Sequence, residues 1–223
     1  MRNPMNELNI ATFTSRGFEE NGYLVWRTGE KSAVAIDPGA DAHAFQHRLV
    51  AEKLDLEAII LTHAHVDHIE GVPALVKATG APVYLHDADR PLYDRARDQA
   101  AMFGMRVESM PEIAHRLEHG QSLDVAAIRF QVKHVPGHSP GHVILVVEGE
   151  DVVFVGDVIF RSSVGRTDLW GGDFAQLAEG IRRNIFELPD DVILYSGHGP
   201  PTTVGHERTT NPFLVPSYGG GLA

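Results

Sequence analysis

Residues 61–72 read LTHAHVDHIEGV, and six consecutive positions within them carry His63, His65, Asp67 and His68. Imidazoles crowded this tightly repel one another once protonated, and each neutral ring needs a hydrogen-bond partner when buried. A bound cation removes both penalties, because a coordinated imidazole stays neutral and its lone pair is occupied. In an extended segment alternate side chains share a face. His63 and His65 can therefore grip one ion, and the turn that follows can present Asp67 and His68 to another.

Three further candidates sit at the ends of apolar runs, as His63 does at the end of "AIIL": His138 after "FQVKHVPG", Asp157 after "VVFVG" and His198 after "VILYSG". Side chains at the ends of neighbouring strands converge on one rim of a sheet, where loops can present them. We assign His63, His65 and His138 to a first ion and Asp67, His68 and His198 to a second. Asp157 lies between them, since a carboxylate has two oxygens with which to bridge. Asp67 and Asp157 are the catalytic candidates. Ions held ~3.5–4 Å apart can share a bridging hydroxide that is a nucleophile near pH 7. Zinc is the first expectation, and the same donors accept iron or manganese. Two divalent ions, two carboxylates and one hydroxide leave a formal charge of about +1, which favours an anionic substrate.

Other features have plainer readings. The chain has 13 histidines; His43, His47, His115, His119 and His206 lie in polar or helical contexts and read as solvated, while His86, His134 and His142 read as hydrogen-bonded structural groups. "GHSPG" at 137–141 matches the G-x-S-x-G pattern of serine hydrolases. That reading fails because the residue after Ser139 is Pro140, which has no N–H for an oxyanion hole. Ser139 is then a turn residue that helps present His138. Asp37, before Pro38, is either an ordinary turn residue or a group that orients a ligand histidine through a hydrogen bond. Arg166 and Asp168 in "VGRTDL" either pair with each other or border the pocket, with Arg166 binding a substrate carboxylate.

Alternating apolar patterns supply the elements that must position these groups. "GYLVWRT" and "SAVAID" read as strands joined at Gly29 and stopped by "DPG". A helix begins near Asp41, "LEAIIL" is a buried strand, "GVPALVKATG" a helix and "PVYLH" a strand. Residues 87–106 are polar, partly helical and placed to cover a site. "IRFQVKHV", "HVILVVEG", "DVVFVGD" and "VILYSG" are strands. Between the last two, Asp173 and Gln176 form a capping-box pattern, followed by an apolar stripe of Phe174, Leu177, Ala178, Ile181 and Ile185. Hairpins with interspersed helices suggest two packed sheets with helices outside. The 223 residues, 43% hydrophobic, show no repeat and no interior linker, so a single domain over 1–223 is expected, with residues 1–6 and the tail 216–223 loose. The net charge of −11 argues against a nucleic-acid partner. The absence of cysteine leaves only nitrogen and oxygen ligands. No apolar stretch is long enough for a membrane span, which places the chain in the cytoplasm by expectation.

"THAHVDH" resembles the H-x-H-x-D-H signature of the metallo-β-lactamase superfamily, and "GHSPGH", "GDVIF" and "GHGP" follow in the order that family shows, over about Gly22 to Pro212. "SSVGRTDLWGGD" and "GHGPPTTVGHERTTNPFL" resemble its short, single-domain glyoxalase II-like branch. The resemblance implies an α/β fold, the αββα sandwich, and hydrolysis of a glutathione thioester such as S-lactoylglutathione. Full-length glyoxalase II supplies basic groups to glutathione from a C-terminal helical extension, and here "NPFL" lies close to the last residue. The rival expectation is a persulfide dioxygenase of the same superfamily, with one iron on His63, His138 and Asp157. Lactonase and β-lactamase activities share the scaffold. A transfer-RNA nuclease fits the charge poorly, and a noncatalytic metal scaffold leaves an open hydroxide position without purpose.

Overall fold

Along the central strands, alternate residues are buried on opposite faces, and that two-residue period builds the architecture. The structure, a computed structural model, describes residues 6–39 and 41–215. The first sheet contains β1 (Leu8–Thr14), β2 (Asn21–Arg27), β3 (Ser32–Ile36), β4 (Asp55–Ile60), β5 (Val83–His86) and β6 (Ile113–Leu117), in that spatial order. The second contains β7 (Ser122–Val125), β8 (Ile128–His134), β9 (Val143–Val147) and β10 (Val152–Gly156). A small hairpin follows, β11 (Ile159–Phe160) with β12 (Ser163–Val164), before β13 (Ile193–Ser196) and β14 (Thr202–Thr203) complete the second sheet. Its order is β14-β13-β10-β9-β8-β7. Both sheets are mixed.

Val25, Val34, Ile36 and Ile60 of the first sheet pack against Phe130, Val132, Leu145 and Phe154 of the second, forming the inner core. The opposite face of the first sheet buries Leu24, Ala35 and Ile59 under α1 (Ala42–Glu52), α2 (Val66–Ile69), α3 (Val72–Thr79), α4 (Arg90–Asp94) and α5 (Ala96–Met102). On the outer face of the second sheet, Ile144, Val153 and Leu194 meet α6 (Phe174–Asn184) and α7 (Val204–Thr210). Three apolar layers thus separate four layers of structure, the expected αββα sandwich. No helix among the described residues is long and apolar enough to cross a membrane.

The ends of the chain expected to be loose lie outside the described residues, apart from Asn6, whose carbonyl accepts a hydrogen bond from Arg27. Four sheet strands give no strand signal in the sequence; one of them, β14, has only two residues, and the other three have weak patterns. β1 is an edge strand of mixed polarity, β6 exposes three of its five residues, and β7 has only four residues.

Strand direction matters for the site. β8 and β10 each pair antiparallel with β9, and β10 pairs parallel with β13, so β8, β10 and β13 point the same way. Their C-terminal ends release His138, Asp157 and His198 on one rim. α6 supports this rim directly. Its N-cap Asp173 accepts from the Gln176 N–H at 2.9 Å, and the Asp173 N–H donates to the Gly137 carbonyl at 2.8 Å. Leu177, Ala178, Ile181 and Ile185 are buried, as the stripe predicts.

Gly137 has φ +126°, and a Cβ there would lie 2.5 Å from the Asp173 carbonyl oxygen and the Leu177 nitrogen. Gly137→Ala should therefore cost about 2–4 kcal/mol, combining overpacking with backbone strain. Urea denaturation measures it, and a loss under about 0.5 kcal/mol would contradict the close packing of α6 on the His138 loop.

Candidate metal centre

Parallel β4 ends at Ile60, and the chain continues through Thr62 to His63 before α2 begins, with His65 at its N-cap. Asp67 and His68 lie within that short helix. Joining the rim of the second sheet, these residues meet His138, Asp157 and His198. The structure brings together three groups of potential donors, each with its atoms within 4.8 Å of one another: His63/His65/His138, Asp67/His68/His198 and Asp37/His63/His68, the last with Asp37 hydrogen-bonded to His68 Nδ1. Asp157 stands between the first two: its Oδ1 is 3.3 Å from His68 Nε2, and its Oδ2 is 3.5 Å from both His138 Nε2 and His198 Nε2.

Most of these rings are gripped from behind. Asp37, at φ +46°, turns its carboxylate back toward the strand ends, where Oδ1 accepts from the Thr62 N–H at 2.7 Å and Oδ2 from the Thr62 hydroxyl at 2.6 Å. Asp37 Oδ2 also accepts from His68 Nδ1 at 3.1 Å. With its proton committed to Asp37, the Thr62 oxygen can only accept from His63 Nδ1, 3.1 Å away. His138 Nδ1 donates to the Arg166 carbonyl at 2.8 Å. These bonds leave Nε2 of His63, His68 and His138 facing inward, the arrangement by which outer partners orient ligand histidines.

Three inward atoms, His63 Nε2, His68 Nε2 and Asp157 Oδ1, are buried without a hydrogen-bond partner. Buried polar atoms seldom remain unpaired, because each costs on the order of 1–3 kcal/mol. The Nε2 of neutral His63, that of His68 once it gives up its proton, and the Asp157 oxygens are donors for cations, and nitrogen and oxygen donors alone suit zinc, iron or manganese. The residues fit a pair of divalent ions.

Electrostatics divides the two sets. Burial, reinforced by His68, holds His63 well below the usual imidazole range, and burial beside His138 brings His65 down to about 3. Both are neutral at pH 7. Burial also opposes a charge on His68 and His198. Here the carboxylates of Asp157 and Asp67 outweigh it, raising His68 well above its ordinary value and His198 to about 10. Asp157 and Asp67 are lowered, because His68 and His198 overcome the burial cost. Protons on His68 and His198 thus hold the place of cationic charge.

Asp89, Asn21 and Glu20 carry no sequence signal, whereas His142 has the hydrogen-bonded structural role expected of it. Asp89 is buried after β5 and accepts from the Ala64 N–H at 3.0 Å, the Ser139 hydroxyl at 2.8 Å and the Gly141 N–H. It fastens the His63–His68 segment to the His138 loop. His142, stacked on His63 at 4.6 Å, accepts from the Asp157 N–H at 3.0 Å. Asn21 holds the His198 loop through backbone and side-chain bonds, the Asn21 N–H reaching the Gly197 carbonyl at 2.7 Å. Buried Glu20 lies 3.9 Å from His68 Nδ1, and burial pushes its carboxyl well up. Arg166 lines the cavity, while its guanidinium is engaged by Asp168 in two bonds of 2.7 and 2.8 Å.

Residues 16–198 match the family model described as the metallo-beta-lactamase superfamily. The chain is 34% identical over 209 residues to hydroxyacylglutathione hydrolase GloC of Haemophilus influenzae, covering 93% of this chain and 98% of that protein. Among solved structures it resembles the BLEG-1 B3 metallo-beta-lactamase, with 40% identity, a TM-score of 0.87, and coverage of 93% of this chain and 100% of that one. TTHA1623, solved in a di-iron-bound form, is similar at 41% identity and a TM-score of 0.83, covering 92% and 100%.

Asp89→Ala would strand three donors in the interior, and the expected cost is about 3–5 kcal/mol in urea denaturation. A loss below about 1 kcal/mol would show that Asp89 does not fasten the two loops.

Proposed function

Because the chain belongs to the metallo-β-lactamase superfamily, we propose that it is a metal-dependent hydrolase of thioesters. His63, His65 and His138 would hold one divalent cation, Asp67, His68 and His198 a second, and Asp157 would serve both. Zinc, iron and manganese all suit this donor set. The observation that carries the reading is the convergence of two three-donor sets on Asp157, with unpaired buried atoms aimed between them. When bound, such an ion pair supplies Lewis acidity and a hydroxide nucleophile at neutral pH.

The chain's own residues do the rest. Thr62 and Asp37 fix His63 and His68, and the Arg166 carbonyl fixes His138, so the donors are organised before substrate arrives. His65, Asp67, His138, Asp157 and His198 line the floor of a cavity of about 510 Å³, where the carbonyl of a substrate can lie against them. In the reaction a C–O bond to the oxygen of water forms and the C–S bond breaks, giving a carboxylate and a thiol. A thiol ionises near pH 8.5, so it can leave as the thiolate without a protein acid, which an amine would require. The similarity to a hydroxyacylglutathione hydrolase supports a glutathione-type thioester, with S-lactoylglutathione the first to assay.

Metal analysis of the purified protein should find close to two ions per chain, and Asp157→Ala should lose bound metal together with thioesterase activity, by about a thousandfold or more. A fully active variant would overturn the assignment. A single iron per chain, with oxygen uptake on glutathione persulfide, would identify a dioxygenase instead.

Metal retention should depend on pH unequally. His68 is raised and His198 ionises near 10, so the second set competes with protons across the neutral range, and its affinity falls as pH falls. Each displaced proton contributes about tenfold per pH unit. His63 and His65 are already neutral and contribute no such loss near pH 7. Zinc occupancy followed from pH 8.5 to 6 should drop from two ions toward one. Simultaneous loss of both would refute the division.

A further inference from the structure

Above the donor floor, the cavity is walled almost entirely by carbon. Phe18, Met102, Phe103, Phe160, Leu169 and Trp170 all line it. Phe18 and Phe103 meet edge to face at 5.0 Å, linking the β1–β2 loop to the end of α5. Met102 is 81% exposed, Phe103 59%, Trp170 61% and Leu169 37%. These make up most of the exposed large apolar side chains among the described residues, and they gather at one place. Apolar surface left open around a site marks something that covers it during function.

Polar side chains in the walls are few, and most of their hydrogen-bonding groups are turned to the protein. Gln99 donates to the Ala64 and Leu92 carbonyls and accepts from the Val66 N–H. Arg166 is held in two bonds by Asp168. A hydroxyl or carboxylate on the acyl group would find among these side chains only the exposed Arg166, two of whose five N–H groups are given to Asp168, whereas a hydrocarbon chain would gain from the carbon around it. The walls continue directly into the floor formed by His138, Asp157 and His198, so a chain lying between them would be attached to a carbonyl at the donors.

We propose that this cleft binds the acyl portion of the substrate and selects an unbranched apolar chain over a hydroxyacyl group, with Phe103 and Trp170 as the determining contacts. The inference rests on the thioesterase reading. It predicts that, on a constant neutral thiol such as N-acetylcysteamine, kcat/KM of the metal-loaded enzyme rises from acetyl through butanoyl and hexanoyl to octanoyl thioesters. The gain should be up to about fourfold for each added methylene until the cleft is full. In Phe103→Ala and Trp170→Ala the octanoyl-to-acetyl ratio should fall about tenfold. Both side chains are largely exposed, so folding is not at stake.

Calorimetric binding of unreactive S-octyl and S-methyl thioethers of the same thiol separates the two ideas. Hydrolysis with a flat or falling chain series, or with lactoyl preferred to hexanoyl, overturns the cleft proposal and leaves the thioesterase standing. No hydrolysis of any thioester, but S-octyl bound at least tenfold more tightly than S-methyl and less so in Phe103→Ala, supports the apolar cleft and removes the thioesterase reading. Equal binding of the two thioethers overturns the cleft proposal.

Discussion

The interaction on which this molecule turns is the crowding, inside a buried space, of imidazole nitrogens around a carboxylate. His63 Nε2, His68 Nε2 and Asp157 Oδ1 have been taken out of water and given no hydrogen-bond partner. Left to themselves, such atoms favour a looser or wetter arrangement. The surrounding structure prevents that relaxation. Asp37 and Thr62 fix two rings from one sheet, the Arg166 carbonyl fixes a third from the other, and Asp89 joins the loops that carry them. Local stability is spent on holding an unfavourable cluster in place, and a cation makes that cluster favourable.

The same constraint explains how charge is distributed. Asp67 and Asp157 are ionised because His68 and His198 answer them, while His63 and His65 stay neutral in dry surroundings. One half of the centre is therefore an ion-paired network, while the other holds the neutral rings of His63 and His65. The asymmetry comes from placement. Asp67 sits with His68 on a short helix beside His198, whereas His65 faces another imidazole, His138, at 2.9 Å.

Much of this was legible in the sequence because the candidate ligands follow apolar runs, and a run that ends on a histidine or aspartate announces both strand and rim. The αββα layering was legible for the same reason, through the continuous apolar runs of β2, β3 and β10 and the alternation in β8. What escaped the sequence are groups whose meaning exists only after folding. Asp89 stands in "DADRP", which reads as a solvated turn, yet it is buried and accepts three bonds. Glu20 and Asn21 give no sign that they will meet the His198 loop across about 175 residues. α7 offers a single buried apolar side chain, Val204, and is anchored by buried Glu207, which accepts from Thr202 and Asn211. Polar residues that become interior by pairing look like surface until their partners are known.

The common direction of β8, β10 and β13 also bears on kinetics. The centre draws on residues from His63 to His198 and exists only when those strand ends have aligned with the end of β4. Contacts this distant in sequence close late, since their loop entropy must be overcome before they contribute. A cation bound there would grip the finished fold far more than the transition state, and so act mainly by slowing unfolding. The metal would then serve as a latch on a door that has already closed, extending the lifetime of the native state without hastening its formation.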